Sequence, residues 1–210
     1  MRDLSLVILC DMADAGERCR SVLWSEGVLD YYLDLLDQRD QSYFQIIALE
    51  AITKWLEAEP HQVEDVLAIP SNIERIVRGT THFGGATGGK RVGRNGGYAL
   101  AGGLADRLLG PIERLVRSSK KISAALAKQK EFVRGLMARM EHPNVFIRTD
   151  SLKILLALKE NREKERLDAG HTARDAEEWV EGMTEMLNNL RKNDPSVMVK
   201  NAANKLLEGK

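Results

Sequence analysis

The stretch EGVLDYYLDLLDQRDQSYFQIIALEAITKWLEAE, residues Glu26 to Glu59, shows the helical character of this chain most clearly. Apolar residues recur every three or four positions on both sides of a short polar break, which is the spacing of two amphipathic helices. The same helix–break–helix form returns at Lys130 to Asn161 and at Glu178 to Glu208. A two-helix unit that recurs along one chain is typical of a helical solenoid, in which each unit buries its apolar face against its neighbours.

The three units match position by position. In each first helix, three apolar residues fall at i, i+4 and i+7, on one face of an α-helix. These triplets are Leu29, Leu33 and Leu36; Val133, Met137 and Met140; and Met183, Leu187 and Leu190. The second helices carry Ile46, Leu49, Ile52 and Leu56; Ile147, Leu152, Leu155 and Leu158; and Val199, Ala203, Leu206 and Leu207. We therefore predict an all-α fold, an armadillo/HEAT-like right-handed superhelix that forms a single domain over residues 1–210.

A glycine-rich stretch separates the first unit from the second. Residues 79–103, GTTHFGGATGGKRVGRNGGYALAGG, hold 10 of the 17 glycines and neither proline nor an acidic residue. Because ordering glycine costs much backbone entropy, we predict a flexible loop over residues 79–97. The helices predicted beyond this loop are Tyr98–Leu109, Ile112–Val116 after a restart at Gly110–Pro111, and Ile122–Leu126.

The glycine-rich stretch contains a motif that resembles a phosphate-binding loop. Residues 84–90 have the G-x-x-x-x-G-K spacing, in which backbone N–H groups and a lysine hold nucleotide phosphates. Arg91 stands where such a loop carries a Ser or Thr for magnesium, and the preceding residues 73–78 have a helical rather than a strand pattern. We therefore favour a plain flexible loop and predict no cofactor. The basic residues Lys90, Arg91 and Arg94 remain available to an acidic partner.

Composition limits the classes of function. The 31 basic residues balance 31 acidic ones, so no net field attracts the chain to nucleic acid or to an anionic membrane. The apolar residues 4–10 are too few to span a bilayer and lack a signal-peptide cleavage site, so we interpret them as a core helix. Two cysteines, Cys10 and Cys19, are too few for a disulfide framework and favour a reducing, cytoplasmic location.

Catalytic chemistry has little support in the sequence. The four histidines, at positions 61, 82, 142 and 171, are scattered in turns with no paired spacing, so we predict no metal site. No Ser/His/Asp or Cys/His arrangement presents itself, and we predict no catalytic residue. An enzyme would need a set of convergent polar residues that this sequence does not display.

More specific motifs occur in two regions. Residues 118–160 contain Ser119-x-x-Ile122-x-x-x-Leu126, Glu141-His142, Ile147-Arg148 and Leu152-Lys153-Ile154-Leu155. Residues 48–64 contain Ala48-Leu49-Glu50-Ala51-Ile52, Trp55-Leu56 and Val63-Glu64. These motifs resemble the C-terminal armadillo-type domain of the septation-initiation and mitotic-exit protein kinases and of the plant MAP kinase kinase kinase epsilon group. The resemblance covers residues 26–160 and the last helix; the glycine-rich loop and residues 161–185 depart from the family's pattern.

The resemblance implies a regulatory and targeting module. The chain contains neither a glycine-rich ATP loop followed by a Val-Ala-x-Lys strand nor a His-Arg-Asp catalytic loop, so we predict that it is not itself an enzyme. In this family, the non-catalytic region is expected to engage a Ras-like small GTPase in its GTP form, or a spindle pole scaffold protein. It is also expected to help bring the kinase to the spindle pole body before cytokinesis.

Helical phase suggests a set of partner-binding residues. If the second helices line a groove, their polar sides offer groups that pair with an acidic switch region or peptide. These residues are Lys54, Arg148, Lys153, Lys200, Asn201 and Asn204. An ordinary solvated role is left open for each of them, as are a generic armadillo/HEAT scaffold unrelated to kinases and a domain that forms a homodimer.

Overall fold

The computed structural model describes residues 2–37, 42–81, 107–169 and 178–208, and these residues form α-helices without any β-strand. In chain order the helices are α1 (Arg2–Met12), α2 (Glu17–Ser25), α3 (Val28–Asp37), α4 (Ser42–Ala58), α5 (Pro60–Leu67), α6 (Pro70–Thr81), α7 (Leu109–Ser118), α8 (Lys120–Ala127), α9 (Lys130–Arg139), α10 (Val145–Ala169), α11 (Glu178–Asn193) and α12 (Val197–Glu208). The predicted all-α class is therefore confirmed. The armadillo type and the right-handed twist stay predictions.

The three units read from the sequence are the helix pairs α3–α4, α9–α10 and α11–α12. All the residues of the apolar triplets are buried except Met137, which is partly buried against the core. The apolar residues of the second helices are buried as well, except Leu207, which is also partly buried. The 3.6-residue periodicity thus identified the core-facing sides of six helices.

Polar side chains mark where several helices begin. Ser119 caps α8, since its Oγ accepts a hydrogen bond from the Ile122 N–H at 3.0 Å. Asn144 does the same before α10, where its Oδ1 accepts from the Phe146 N–H at 3.0 Å. Pro60 occupies the first position of α5, where its missing N–H costs nothing. These residues favour the start of a helix at α8, α10 and α5.

The region between the first two units differs from the prediction. Helix α7 runs continuously from Leu109 to Ser118, so Gly110 and Pro111 lie in its first turn and do not separate two helices. Proline is tolerated there because the first N–H groups of a helix have no partner within it. Residues 98–106, predicted to be helical, lie outside the described residues, whereas the predicted short helix over Ile122–Leu126 is confirmed as part of α8.

The predicted flexible loop starts too early. Residues 79–81 close helix α6, and Gly79 is buried where α6 meets α3. A Cβ added at Gly79 would lie 2.7 Å from the Leu36 carbonyl oxygen, so this glycine permits a close approach between two helices. The rest of the loop, with its phosphate-loop-like spacing, lies outside the described residues.

The helices pack in two layers. Helices α1, α4, α7, α10 and α12 lie side by side in that order, and we call this set layer A. Helices α3, α6 and α9 lie side by side behind it and form layer B. The short helices α2, α5 and α8 each precede a layer B helix and connect it with the preceding layer A helix. Neighbour-by-neighbour packing of this kind is what a solenoid requires.

Side-chain hydrogen bonds join neighbouring helices of layer A. Thr53 of α4 donates to the Pro111 carbonyl of α7 at 3.4 Å, and four residues further on Glu57 meets Arg114. Further along the layer, Asn161 of α10 donates to the Val116 carbonyl at 3.0 Å, and Lys159 donates to the Leu206 carbonyl of α12 at 2.8 Å. These bonds connect α4, α7, α10 and α12 in the order in which they lie in the layer.

Helix α1 is less completely a core helix than its sequence suggests. Leu6 and Cys10 are buried, but Leu4 and Ile8 are exposed on the opposite side. Burial raises the pKa of the Cys10 thiol to about 12, which keeps it protonated and unreactive. Among the helices that the structure describes, none is both long and apolar enough to cross a membrane.

Candidate protein-binding face

Helices α4, α7 and α10 of layer A are largely buried, and each exposes only a stripe of side chains. In α4 the stripe contains Tyr43, Ile47, Glu50, Lys54 and Glu57, spaced three or four residues apart. The corresponding polar residues of α7 and α10 are Glu113, Arg114 and Arg117, and Asp150, Lys153 and Glu160. A surface assembled from several parallel helices offers side chains at regular intervals to an elongated partner.

Four lysine and arginine residues of this face are paired with carboxylates. The Lys54 Nζ lies 2.6 Å from the Asp14 carboxylate, and the Lys153 Nζ lies 2.8 Å from the Asp150 carboxylate. Across the α4–α7 boundary, the Arg114 guanidinium holds Glu57 through two bonds of 2.5 and 3.1 Å. Within α7, the Arg117 Nε lies 3.0 Å from the carboxylate of Glu113, four residues earlier. We call these four pairs the charge ladder.

Two of these contacts shift the pKa of a member of the pair. The hydrogen bond from Lys54, followed by its positive charge, lowers the pKa of Asp14 below its ordinary value. The hydrogen bond to Asp150 raises the pKa of Lys153. Each lysine is therefore already paired with a carboxylate. An acidic partner must displace these carboxylates before it can use Lys54 or Lys153.

Arg148 does not lie on this face. Only 8% of the Arg148 surface is exposed, and its guanidinium binds the Asp194 carboxylate through bonds of 2.8 and 3.0 Å. The same guanidinium donates to the carbonyls of His142 and Pro143 at 2.7 and 2.9 Å. The expectation that Arg148 is a solvated, partner-facing residue is therefore wrong. It joins the turn before α10 to the turn before α12.

The remaining predicted residues are at the C-terminal end of layer A. Asn201 is exposed, while Lys200 and Asn204 are half-buried. Asn204 donates to the Glu208 carboxylate, one turn further along α12, at 2.7 Å. The structure thus places Lys54, Lys153 and these three residues on helices of one layer. It assigns none of them a ligand, and their binding role stays a prediction.

Exposed apolar side chains were missed by sequence reasoning. Tyr43 and Phe146 are each the second residue of a layer A helix, and 50% and 65% of their surfaces are exposed. Val197 and Met198 occupy the corresponding first turn of α12 and are also exposed. A signal was present in the sequence, because these residues are apolar yet out of phase with the buried stripe. Such side chains are common anchors for protein partners.

The described residues contain no group of His, Cys, Asp and Glu that could hold a metal ion. His61 lies in the first turn of helix α5 rather than in a loop, His142 lies in the turn between α9 and α10, and the other two histidines fall outside the described segments. Arg114, Arg117 and Glu57 were not among the predicted site residues, because the extent of α7 was misjudged. Over the described parts of the chain, the face offers paired charges and apolar anchors.

Comparison with known proteins identifies relatives over nearly the whole chain. Cytokinesis protein sepH of Aspergillus terreus is 28% identical over 213 residues, which is 99% of this chain and 14% of that protein. MAP3K epsilon protein kinase 2 of Arabidopsis thaliana is 26% identical over 214 residues, again 99% of this chain and 14% of that protein. Cell division control protein 7 of Schizosaccharomyces pombe is 30% identical over 77 residues, 37% of this chain.

No family model and no solved structure matches the chain. The sequence spans 14% of the length of the sepH and MAP3K epsilon proteins that align with nearly all of it. This short coverage is consistent with a region of those proteins outside their kinase domain. The resemblance drawn from the sequence motifs is confirmed: this chain is related to a region of the sepH cytokinesis proteins and the MAP3K epsilon kinases.

Proposed function

We propose that this chain is a non-catalytic, protein-binding region of a kinase-associated cytokinesis protein. The observation that carries the proposal is the alignment of 99% of the chain with only 14% of sepH and of MAP3K epsilon kinases. The region recurs in fungal and plant proteins and packs as layered helices, and its described residues contain no metal-binding cluster. These features fit a binding role better than a catalytic one.

The proposed partner is a Ras-like small GTPase in its GTP form, and the proposed binding face is layer A. The family resemblance suggests this partner, and a spindle pole scaffold protein is the alternative from the same source. A cytoplasmic location, with recruitment to the spindle pole body, belongs to this proposal, as does an armadillo-type superhelix. The face that offers Lys54 and Lys153 together with Tyr43 and Phe146 supports it.

The direct test is a binding assay with a panel of purified small GTPases, each loaded with GDP or with a non-hydrolysable GTP analogue. We expect one septation-type GTPase to bind preferentially when loaded with the GTP analogue. Binding that ignores the nucleotide would point to a scaffold interaction instead. Absence of binding across the panel would contradict the GTPase as partner and leave scaffold proteins to be tested in the same assay.

The face is tested by reversing two charges on layer A. The variant Lys54→Glu/Lys153→Glu should weaken partner binding by roughly tenfold or more, because like charges at an interface cost several kcal/mol. The matched control is Lys128→Glu, at an exposed position after α8, and should bind as the unmodified protein does. Equal affinity of both variants would remove this face from the interface.

A homodimer is a second candidate role, and helix α1 supplies the observation that favours it. Leu4 and Ile8 are exposed one turn apart, so α1 presents two apolar side chains on the side away from the core. We expect light scattering at micromolar concentrations to show a dimer that Ile8→Glu converts to a monomer. A monomer in the unmodified protein would exclude this role at those concentrations.

A further inference from the structure

The junction between α7 and α8 contains one serine with four basic residues close to it in the sequence. Ser118 is the last residue of α7, and its Oγ donates to the Arg114 carbonyl at 2.8 Å. The same Oγ lies 3.4 Å from Glu57 Oε1, the carboxylate that Arg114 holds in the charge ladder. The basic residues within four positions of Ser118 are Arg114, Arg117, Lys120 and Lys121.

The two adjacent serines have different environments. Ser119 is buried, caps α8 and donates to the Glu64 carboxylate, so its hydroxyl is engaged on both sides. Ser118 is half-exposed at the end of a helix, and the backbone at Ser119 is already extended, with φ −142° and ψ 119°. A helix end opens more easily than a helix interior, so Ser118 is the hydroxyl that an enzyme can reach.

We propose that Ser118 is a phosphorylation site for a serine/threonine kinase that prefers basic substrates, and that its phosphate takes Arg114 away from Glu57. In the reaction, Oγ attacks the γ-phosphorus of ATP, an Oγ–P bond forms, and the bond between that phosphorus and the bridging oxygen breaks. ADP leaves, and the hydroxyl proton passes to the kinase's base. Three of the four neighbouring basic residues are held by carboxylates, at Glu57, Glu113 and Asp65, and an acidic substrate cleft competes with these carboxylates for the same positive charge.

Electrostatics determine the consequence of the modification. A phosphoserine carries about −1.5 to −2 charges at neutral pH and three strong acceptor oxygens, whereas Glu57 offers a single negative charge. The phosphate is attached 3.4 Å from Glu57 and therefore repels this carboxylate while it competes for the same guanidinium. The C-terminal end of α7 disfavours a negative charge on Ser118, whereas the start of α8, one residue later, favours it. The ion pair between Arg114 of α7 and Glu57 of α4 is therefore replaced by a contact within α7, between Arg114 and the phosphate.

The first test measures which serine is modified. Folded protein is incubated with ATP and the catalytic fragment of protein kinase C, and phosphosites are located by mass spectrometry. We expect phosphate on Ser118, its loss in Ser118→Ala, and none on Ser25, a matched serine at the exposed end of α2 without this basic surrounding. Modification of a synthetic peptide of residues 110–128 but not of the folded chain would overturn the accessibility of Ser118.

The second test does not depend on the choice of kinase. Phosphoserine is incorporated at position 118 by genetic encoding, and the pKa of the phosphate is followed by ³¹P NMR in this protein and in its Arg114→Gln variant. A guanidinium that holds the phosphate favours the doubly charged form, so the pKa should be lower by roughly half a pH unit or more when Arg114 is present. Equal pKa values in two variants that both remain folded would overturn the capture of Arg114.

Discussion

Two arginine–carboxylate pairs in this molecule have the same chemistry and different roles. Arg148 and Asp194 form a two-bond pair whose side chains are 9% and 4% exposed, between the turns that precede α10 and α12. Arg114 and Glu57 form a two-bond pair whose side chains are 44% and 38% exposed, on the surface of layer A. Solvent access is the main difference between them.

That difference decides what each pair does. Removing one member of a buried pair leaves an uncompensated charge away from water, which is severely destabilising. An exposed pair gains little, because water and salt screen it and two long side chains lose freedom. Arg148 therefore stabilises the contact between the turns that precede α10 and α12, whereas Arg114 can exchange one partner for another. The proposed response to phosphate at Ser118 depends on this second property.

The largest expected effect comes from breaking the buried pair. Arg148→Ala should lower the free energy of unfolding by about 3–5 kcal/mol, because Asp194 would remain buried without its partner. Arg114→Ala is the matched change at the exposed pair and should cost about 0–1 kcal/mol. Urea unfolding followed by circular dichroism measures both.

Replacing the buried pair by apolar residues sharpens the same comparison. The double variant Arg148→Met/Asp194→Leu should recover most of the stability lost in Arg148→Ala, since no unpaired charge is left behind. A double variant as unstable as the single one would show that the hydrogen bonds it also loses matter more than the ion pair. These are the bonds from Arg148 to the carbonyls of His142 and Pro143 and the bond from the Ser196 N–H to Asp194.

A smaller effect is expected at the close contact between α3 and α6. Gly79→Ala should lower the free energy of unfolding by about 1–3 kcal/mol, because its Cβ would meet the Leu36 carbonyl at 2.7 Å. That carbonyl also accepts a hydrogen bond from Gln45 at 2.7 Å, which limits its movement. Gly110→Ala, in open space on α7, is the control and should be neutral or stabilising by about 0.4–1 kcal/mol. Equal changes in the free energy of unfolding for the two variants would mean that α3 and α6 move apart readily to accept the added methyl group.

The smallest effect concerns the exposed charge ladder. Because Lys54 lowers the pKa of Asp14 in the folded state, the contribution of this pair is present above the ordinary pKa of Asp14 and is lost as pH falls through the folded value. In Lys54→Gln the pKa of Asp14, measured by NMR of its carboxyl carbon, should rise toward the ordinary value. An unchanged pKa would mean that the pair does not persist in solution.

Sequence periodicity predicted the core-facing sides of six helices because those positions depend on local spacing alone. It did not predict the burial of Arg148, whose partner Asp194 lies 46 positions away in a turn. Helical phase counts such a residue as polar and therefore exposed. The extent of α7 was also misjudged, since Gly110 and Pro111 disrupt a helix interior but are accepted in its first turn.

The Arg148–Asp194 pair also bears on the order in which the molecule unfolds. Helices α11 and α12 pack on each other, and α12 joins the rest of the described structure chiefly through α10. Besides apolar packing, that boundary contains the buried pair and the bond from Lys159 to the Leu206 carbonyl. A solenoid can open from one end while its other units stay folded. Loss of Arg148 should therefore release the C-terminal helix pair as a cooperative unit, with faster amide hydrogen exchange in α12 than in α4.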